Sequence, residues 1–259
     1  MDLTIAVATY EGEQLLCACL QSILLQEPQM DWELLGIDDC STIPVARPLL
    51  PNARVIYHLE NRGNIAAMDT GIREAAGEWV LFVANDVRLH NDCLRCLWAH
   101  RSYHDIVQPV LYQPDGRIDN VGLWWRWPGY GDRARGIDAP YTTDAFTATC
   151  FLIHRELYLQ LGGFDLALRL SHEDVDLSLT LRQQGGACRY CPDAIATHLM
   201  GQTIGRVMQE PLSPYYHRAR MRVLRKHYRG VDYAIRASLV SVLDASQKYL
   251  RKLHTSLRS

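Results

Sequence analysis

The chain has 259 residues, 48% hydrophobic and 22% charged, with a formal net charge of −2. That length supports one large α/β domain or two small ones with a sizeable core, and the near-neutral balance gives no bulk argument for a nucleic-acid partner. Asp2 precedes a short apolar stretch rather than a signal-peptide core, and no apolar run approaches the ~20 residues of a membrane span. A cytoplasmic protein, or one peripheral at the inner face of the plasma membrane, is expected.

The first half alternates strands with helices. Residues 3–8 read as a short buried strand. Residues 13–26 carry a helical stripe of Leu15, Leu16, Cys19, Leu20, Ile23 and Leu24. Strands are expected at 32–37, 53–58 and 79–83, with helices at 65–76 and 92–100; Gly77 suits the C′ position of the first of these helices. Such alternation implies right-handed crossovers and a mostly parallel sheet, in which ligands bind beyond the carboxyl ends of the strands. Polar clusters fall at three of those ends: Thr9-Tyr10-Glu11, Asp38-Asp39 and Asn85-Asp86. No Gly-rich dinucleotide fingerprint follows the first strand and no P-loop occurs. Phosphate charge would need another partner, and a divalent cation held by Asp86 is the natural candidate.

The eight cysteines include two C-x-x-C pairs, Cys93/Cys96 and Cys188/Cys191. The pairs lie far apart and the first reads as helical, so free thiols in a reducing compartment are expected rather than zinc.

Residues 112–147 read as a long loop rich in Gly, Pro and aromatics, with Trp124, Trp125 and Trp127 clustered. Long loops in compact domains are usually functional, and aromatic faces suit sugar rings, so this loop is the expected acceptor side. A strand at 148–153, a turn at 162–165 and a helix from Glu173 follow. Glu173 and Asp174 fall in the first turn of that helix, where acids also suit the helix dipole. A strand at 195–198 ends on His198, a candidate ligand in the same kind of end position as Asp86.

Taken in order, five blocks resemble the family 2 glycosyltransferases, which have the GT-A fold. They are residues 7–10, 37–42, 61–78 running into Asn85-Asp86, Gly162-Gly163-Phe164-Asp165, and residues 173–178 with His198 downstream. A weaker likeness points to the bacterial rhamnosyltransferase-like subset. The resemblance implies a Rossmann-like, mostly parallel sheet flanked by helices. It implies that Thr9, Tyr10, Glu11, Asp39, Asn85 and Asp86 bind the nucleotide, with Asp39 accepting the N3–H of uracil or thymine. Asp86 would hold Mg²⁺ or Mn²⁺, His198 would be a second metal or phosphate ligand, and Asp174 would be the general base with Glu173 beside it. The implied reaction is inverting transfer from a UDP- or dTDP-sugar to a glycan or lipid-linked acceptor in bacterial surface polysaccharide synthesis. The sequence departs from the pattern at Ala84, where an acid or Asn is usual, at Cys40, where Gly is usual, and at Asp69, where Asn is usual. Metal held by Asp86 and His198, metal-independent transfer assisted by Arg or Lys, and binding without catalysis all stay open at this point. A nucleotidyltransferase is the enzymatic rival and a decayed glycan-binding scaffold the non-enzymatic one.

From Arg206 the chain becomes basic and amphipathic. Arg218, Arg220, Arg222, Arg225, Lys226 and Arg229 crowd one span, and Lys248, Arg251 and Lys252 follow. The apolar faces of these helices would pack on the domain or on a second copy, or the helices would attach to an anionic membrane surface. The expected division is a transferase domain at 1–204, with a nucleotide-binding half at 1–110 and an acceptor-side half at 111–204, followed by C-terminal helices at 205–259.

Overall fold

β1 (Leu3–Thr9) is buried along its whole length because its residues alternate between two helix-covered faces, both apolar. The computed structural model describes residues 1–46, 51–134, 136, 141–169, 171–199 and 213–256. β1 pairs in parallel with β2 (Trp32–Asp38) and β4 (Trp79–Ala84), and β2 pairs in parallel with β3 (Ala53–Tyr57). Beyond β4 comes β11 (Cys150–His154), antiparallel to it. Next is β6 (Asp105–Tyr112), and then β12 (Ala187–His198), parallel to β6. Three short strands complete this sheet: β5 (Val87–Leu89) and β10 (Thr142–Thr143) on β12, and β7 (Ile118–Asn120) on β6. The order is β10-β12-β6-β11-β4-β1-β2-β3, with the parallel ladders carrying most of the paired residues. The carboxyl ends of β1, β2, β4, β6 and β12 therefore share one edge, and β11 begins there.

Helices cover both faces. On one, α1 (Glu13–Leu24) and α3 (Cys93–Ala99) bury Leu16, Cys19, Ile23, Leu94 and Leu97 against Val7, Leu81 and Val83. On the other, α2 (Asn64–Arg73), α4 (Arg155–Gln160) and α5 (Glu173–Gln183) bury Met68, Ile72, Tyr158 and Leu177 against Phe82 and Phe151. Each fully buried side chain of this size contributes about 1.5–3 kcal/mol.

The nucleotide-side elements lie close to where the sequence places them. α2 stops at Arg73, short of the expected 76, and Gly77 does not cap it. A Cβ on Gly77 would sit 2.4 Å from the Thr4 nitrogen, so close packing on β1 requires the glycine. Residues 112–147 are not a plain loop. They contain β7, β10 and a separate hairpin of β8 (Leu123–Arg126) and β9 (Tyr130–Arg133). The strand ending at His198 begins at Ala187, with a register break between Cys191 and Ile195. Cys188 faces one core and Cys191 the other, so the second C-x-x-C cannot close on one ion. All eight cysteines are free thiols. The division expected at 110/111 falls inside β6, so both halves share one sheet.

The expected boundary at 204/205 and Arg206 lie outside the described residues, as do the side chains of Lys248, Arg251 and Lys252. α6 (Ser213–His227) packs on the sheet-and-helix domain. Its Ala219 and Val223 join the core, and Lys226 and His227 reach the buried Asp176 at 2.6 and 2.7 Å. Arg222 forks onto Asp165 at 2.5 and 3.0 Å. α7 (Gly230–Ser256) returns along α6, where Arg220 and His217 meet Asp244. Much of the basic charge is thus matched by acids of this chain.

Candidate active site

Three strand ends build the rim where nucleotide binding is expected from the sequence. Thr9 Oγ1 accepts a 2.9 Å hydrogen bond from Asn85 Nδ2, which ties the ends of β1 and β4. A Cβ at Gly12 would strike Asn85 Nδ2 at 2.5 Å, so glycine permits this approach. Tyr10 follows, half-buried. Exposed Glu11 accepts from the Thr42 N–H at 2.6 Å, which links the first loop to the second; the Thr42 side chain and backbone together hold its carboxyl below the usual range. Asp38 closes its own turn by accepting from the Ser41 and Val45 N–H groups.

Asp39 has a role its sequence position did not reveal. Its carboxylate accepts from the N–H groups of Arg62 and Gly63, just before α2, and lies 2.6 Å from His58 Nδ1. It thereby anchors the α2 entry, where donors lack helical partners. His58 continues the chain to Thr70 Oγ1 at 3.0 Å. Oδ2 accepts from Gly63 N–H at 2.8 Å and keeps further acceptor capacity. Asp69 belongs to packing: it accepts from Tyr158 O–H and from Arg73 on the far side of α2. Cys40 takes the left-handed backbone, φ 67°, that glycine would adopt freely.

The first station is Asp86 with His198. Asp86 ends the turn from β4 to β5, and β5 pairs with the end of β12, so Val87 lies opposite His198. Leu199 N–H donates to the Asp86 carbonyl at 2.9 Å. His198 Nε2 then lies 3.5 Å from Asp86 Oδ2, and both side chains are about nine-tenths buried. The other ring nitrogen, Nδ1, lies 3.1 Å from Oδ2 of Asp119 on β7. Burial alone would lower the imidazole, but the two carboxylates outweigh it and push His198 up to about 9. Asp119 was not singled out from the sequence. It stands in a stretch that reads as loop, and only the apolar frame of Ile118 and Val121 hints at an inward-facing acid.

The second station is Glu173-Asp174 at the start of α5. His172, just before them, is held at φ 69°, a left-handed turn that aims the first residues of the helix. Asp174 accepts from the N–H groups of Val175 and Ala148. Among the described residues, Glu173 Oε2 is buried with no hydrogen-bond partner. Burial and the neighbouring carboxyl raise Glu173, and burial raises Asp174, so the pair titrates above the usual carboxylate range. Burial and the Arg220 charge push His172 down to about 4.

β11 joins the two stations. Ala148 donates to Asp174, and the next residue, Thr149, accepts from Ala84 N–H at 2.8 Å, two residues before Asp86. The fold thus brings Asp86, His198, Glu173 and Asp174 to one edge. Arg133 also lies between them: it pairs with Asp119, and its charge lowers Asp174.

The three tryptophans do not form one wall. Trp125 faces the second station, with its ring 6.3 Å from His172 and its Nε1–H donating to Tyr228 of the C-terminal extension. Trp124, its neighbour on a strand, points the other way and packs near Val110 and Tyr190. Trp127 is 61% exposed at the hairpin turn.

Residues 4–162 match the family described as Glycosyl transferase family 2. The chain belongs to that family. It is 26% identical over 226 residues to N-acetylgalactosaminyltransferase 7 of Drosophila melanogaster, covering 73% of this chain and 37% of that one. It is 25% identical over 207 residues to the O-antigen biosynthesis protein RfbC of Myxococcus xanthus, covering 70% of this chain and 16% of that one. The chain therefore spans well under half the length of either relative. Among solved structures, GalNAc-T7 with UDP, GalNAc and Mn²⁺ superposes with a TM-score of 0.64 at 17% identity, over 76% of this chain and 44% of that one. The fold of this family 2 member is accordingly GT-A.

The donor set at the first station suits a hard divalent cation. Asp86 and His198 offer one carboxylate and one imidazole nitrogen, already facing each other. Among the described residues no group of three or more His, Cys, Asp or Glu could hold a metal by itself, so phosphate and water would complete the coordination.

Proposed function

We propose that this chain carries out inverting sugar transfer from a UDP- or dTDP-sugar, assisted by Mn²⁺ or Mg²⁺, to a hydroxyl of a glycan or lipid-linked acceptor in bacterial surface polysaccharide synthesis. The observation that carries it is the placement of Asp86–His198 and Glu173–Asp174 on opposite flanks of the start of β11. Displacement at an anomeric carbon needs charge stabilisation on the leaving diphosphate and a base on the other side, and two separate stations meet that need. Asp86 and His198 would hold the cation, whose bound charge supplies Lewis-acid stabilisation of the diphosphate. Asp174 takes the acceptor proton; its two backbone donors fix the carboxylate while burial raises its basicity. Glu173, protonated beside it, leaves the negative charge to Asp174. Trp125, on the base side, offers a ring face to the acceptor sugar. Asp39 Oδ2 offers its remaining lone pair to a pyrimidine N3–H.

Family membership counts against the nucleotidyltransferase reading, as does an acid, Glu11, in the loop after β1. The test is transfer or donor hydrolysis with UDP- and dTDP-sugars, run for the wild type and Asp174→Asn. The proposal expects turnover by the wild type, and donor binding without turnover by the variant. Nucleotide-sugar binding with equal, negligible turnover in both would support a scaffold.

The exposed Val231, Ile235, Val242 and Leu243 on α7 support a membrane-surface role for the C-terminal helices. Among the described residues no helix is long and apolar enough to cross a membrane. Co-sedimentation with anionic but not neutral vesicles is the expected result; equal recovery with both would remove this part of the proposal.

A further inference from the structure

Asp119 is fully buried, and its carboxylate is surrounded by donors. Oδ2 lies 3.1 Å from His198 Nδ1 and accepts from Asn120 Nδ2 at 3.0 Å, while Oδ1 pairs with Arg133. Asn120 is itself braced: its Oδ1 accepts from Thr147 Oγ1 at 3.0 Å and from Gly122 N–H at 3.2 Å, and Gln108 holds the Thr147 N–H at 2.8 Å. A buried acid is strongly unfavourable unless such partners compensate it, and a well-packed apolar side chain would serve folding as well. Stability alone therefore does not account for the cluster. Its effect on His198 does: a carboxylate on Nδ1 fixes which nitrogen carries the proton and fixes the plane of the ring. The nitrogen left over is Nε2, the one that faces Asp86.

We infer that Asp119 is a positioning residue that holds His198 with Nδ1 protonated and Nε2 presented, beside Asp86, as a donor to the divalent cation. The inference rests on the metal reading above. Carboxylates behind a ligating imidazole typically carry about a 10- to 100-fold share of metal affinity. Arg133 extends the arrangement: it braces Asp119 on one side and lies close enough to Asp174 to influence it on the other.

The experiment is titration of Mn²⁺ into the UDP-saturated protein, followed by the electron paramagnetic resonance of free Mn²⁺, for the wild type, His198→Ala and Asp119→Asn. Expected is a loss of Mn²⁺ affinity of about 10- to 100-fold in Asp119→Asn, approaching the loss in His198→Ala. Wild-type Mn²⁺ affinity in Asp119→Asn, with affinity lost in His198→Ala, overturns the inference and leaves the metal reading standing. No Mn²⁺ dependence in the wild type overturns the metal reading itself. Should Asp119→Asn fail to fold, ¹⁵N spectroscopy of the histidines in the wild type with Mg²⁺ and UDP decides. A protonated Nδ1 with a bare Nε2 on His198 supports the inference, and the reverse tautomer contradicts it.

Discussion

Asp86 and Asp174 are both aspartates at the same edge of the sheet, on either side of β11, yet their surroundings are opposed. Asp86 faces the His198 imidazole, which a second buried carboxylate holds from its other side. Asp174 stands beside another carboxyl, with two backbone N–H groups as its donors, and burial raises it. One setting surrounds a carboxylate with an imidazole and a second acid; the other makes a carboxylate reluctant to ionise and hence a better proton acceptor. A third acid two residues along, Asp176, sharpens the contrast. It is more deeply buried, but Lys226 and His227 pair with it, and it serves docking of the C-terminal helices.

The largest expected effect comes from removing the base. Asp174→Asn should lower kcat by about 10²–10⁴-fold while leaving UDP binding intact, read from steady-state rates beside calorimetry. Equal loss of binding and turnover would mean that the two stations are not separate. Asp176→Ala leaves His227 and Lys226 facing a vacated site. It should destabilise the protein by about 2–4 kcal/mol in urea unfolding, without a specific loss of kcat once folded.

His172 tests the charge balance next to the base. Its pKa is about 4 in the folded protein against 6.5 unfolded. The neutral form is therefore favoured by folding, and the associated stability is complete above pH 6.5. It is lost as pH falls from 6.5 towards 4, where the unfolded chain takes up a proton that the native one refuses. A decline of about 2 kcal/mol over that window is expected, smaller in His172→Gln, from unfolding curves taken across pH. The smallest effect is on the rate profile. The raised Glu173–Asp174 pair places the acidic limb of kcat/KM above the usual carboxylate range, and Glu173→Gln should shift that limb to lower pH by removing one partner of the coupled pair. An unmoved limb would assign the titration elsewhere.

Much of this site is legible in the sequence because its residues stand at strand and helix ends. Asp86 and His198 each close an apolar run, and Glu173-Asp174 open a helical one, so local pattern marks the positions while the family resemblance supplies the expected roles. What pattern does not show is who stands behind them. Asp119 lies on a three-residue strand whose burial depends on pairing with β6, and Arg133 reaches it from the far arm of a hairpin. Both relations are non-local and leave no periodicity. His58 is hidden for the same reason: its partner Asp39 is nineteen residues away across two strand ends. The tryptophans mislead in the opposite way. They read as one aromatic patch, but strand alternation sends Trp124 and Trp125 to opposite faces. Gly77 looks like a helix cap because of where it stands, and proves to be required by the backbone of β1.

The account turns on the claim that Asp86 and His198, without an acid at position 84, are enough to couple nucleotide binding to a divalent cation. The direct measurement is calorimetric titration of UDP into the wild-type protein with Mn²⁺ and again with EDTA. Tighter binding with Mn²⁺, by at least about tenfold, is the predicted result, corresponding to roughly 1.4 kcal/mol. The same affinity under both conditions, or no binding under either, would contradict it.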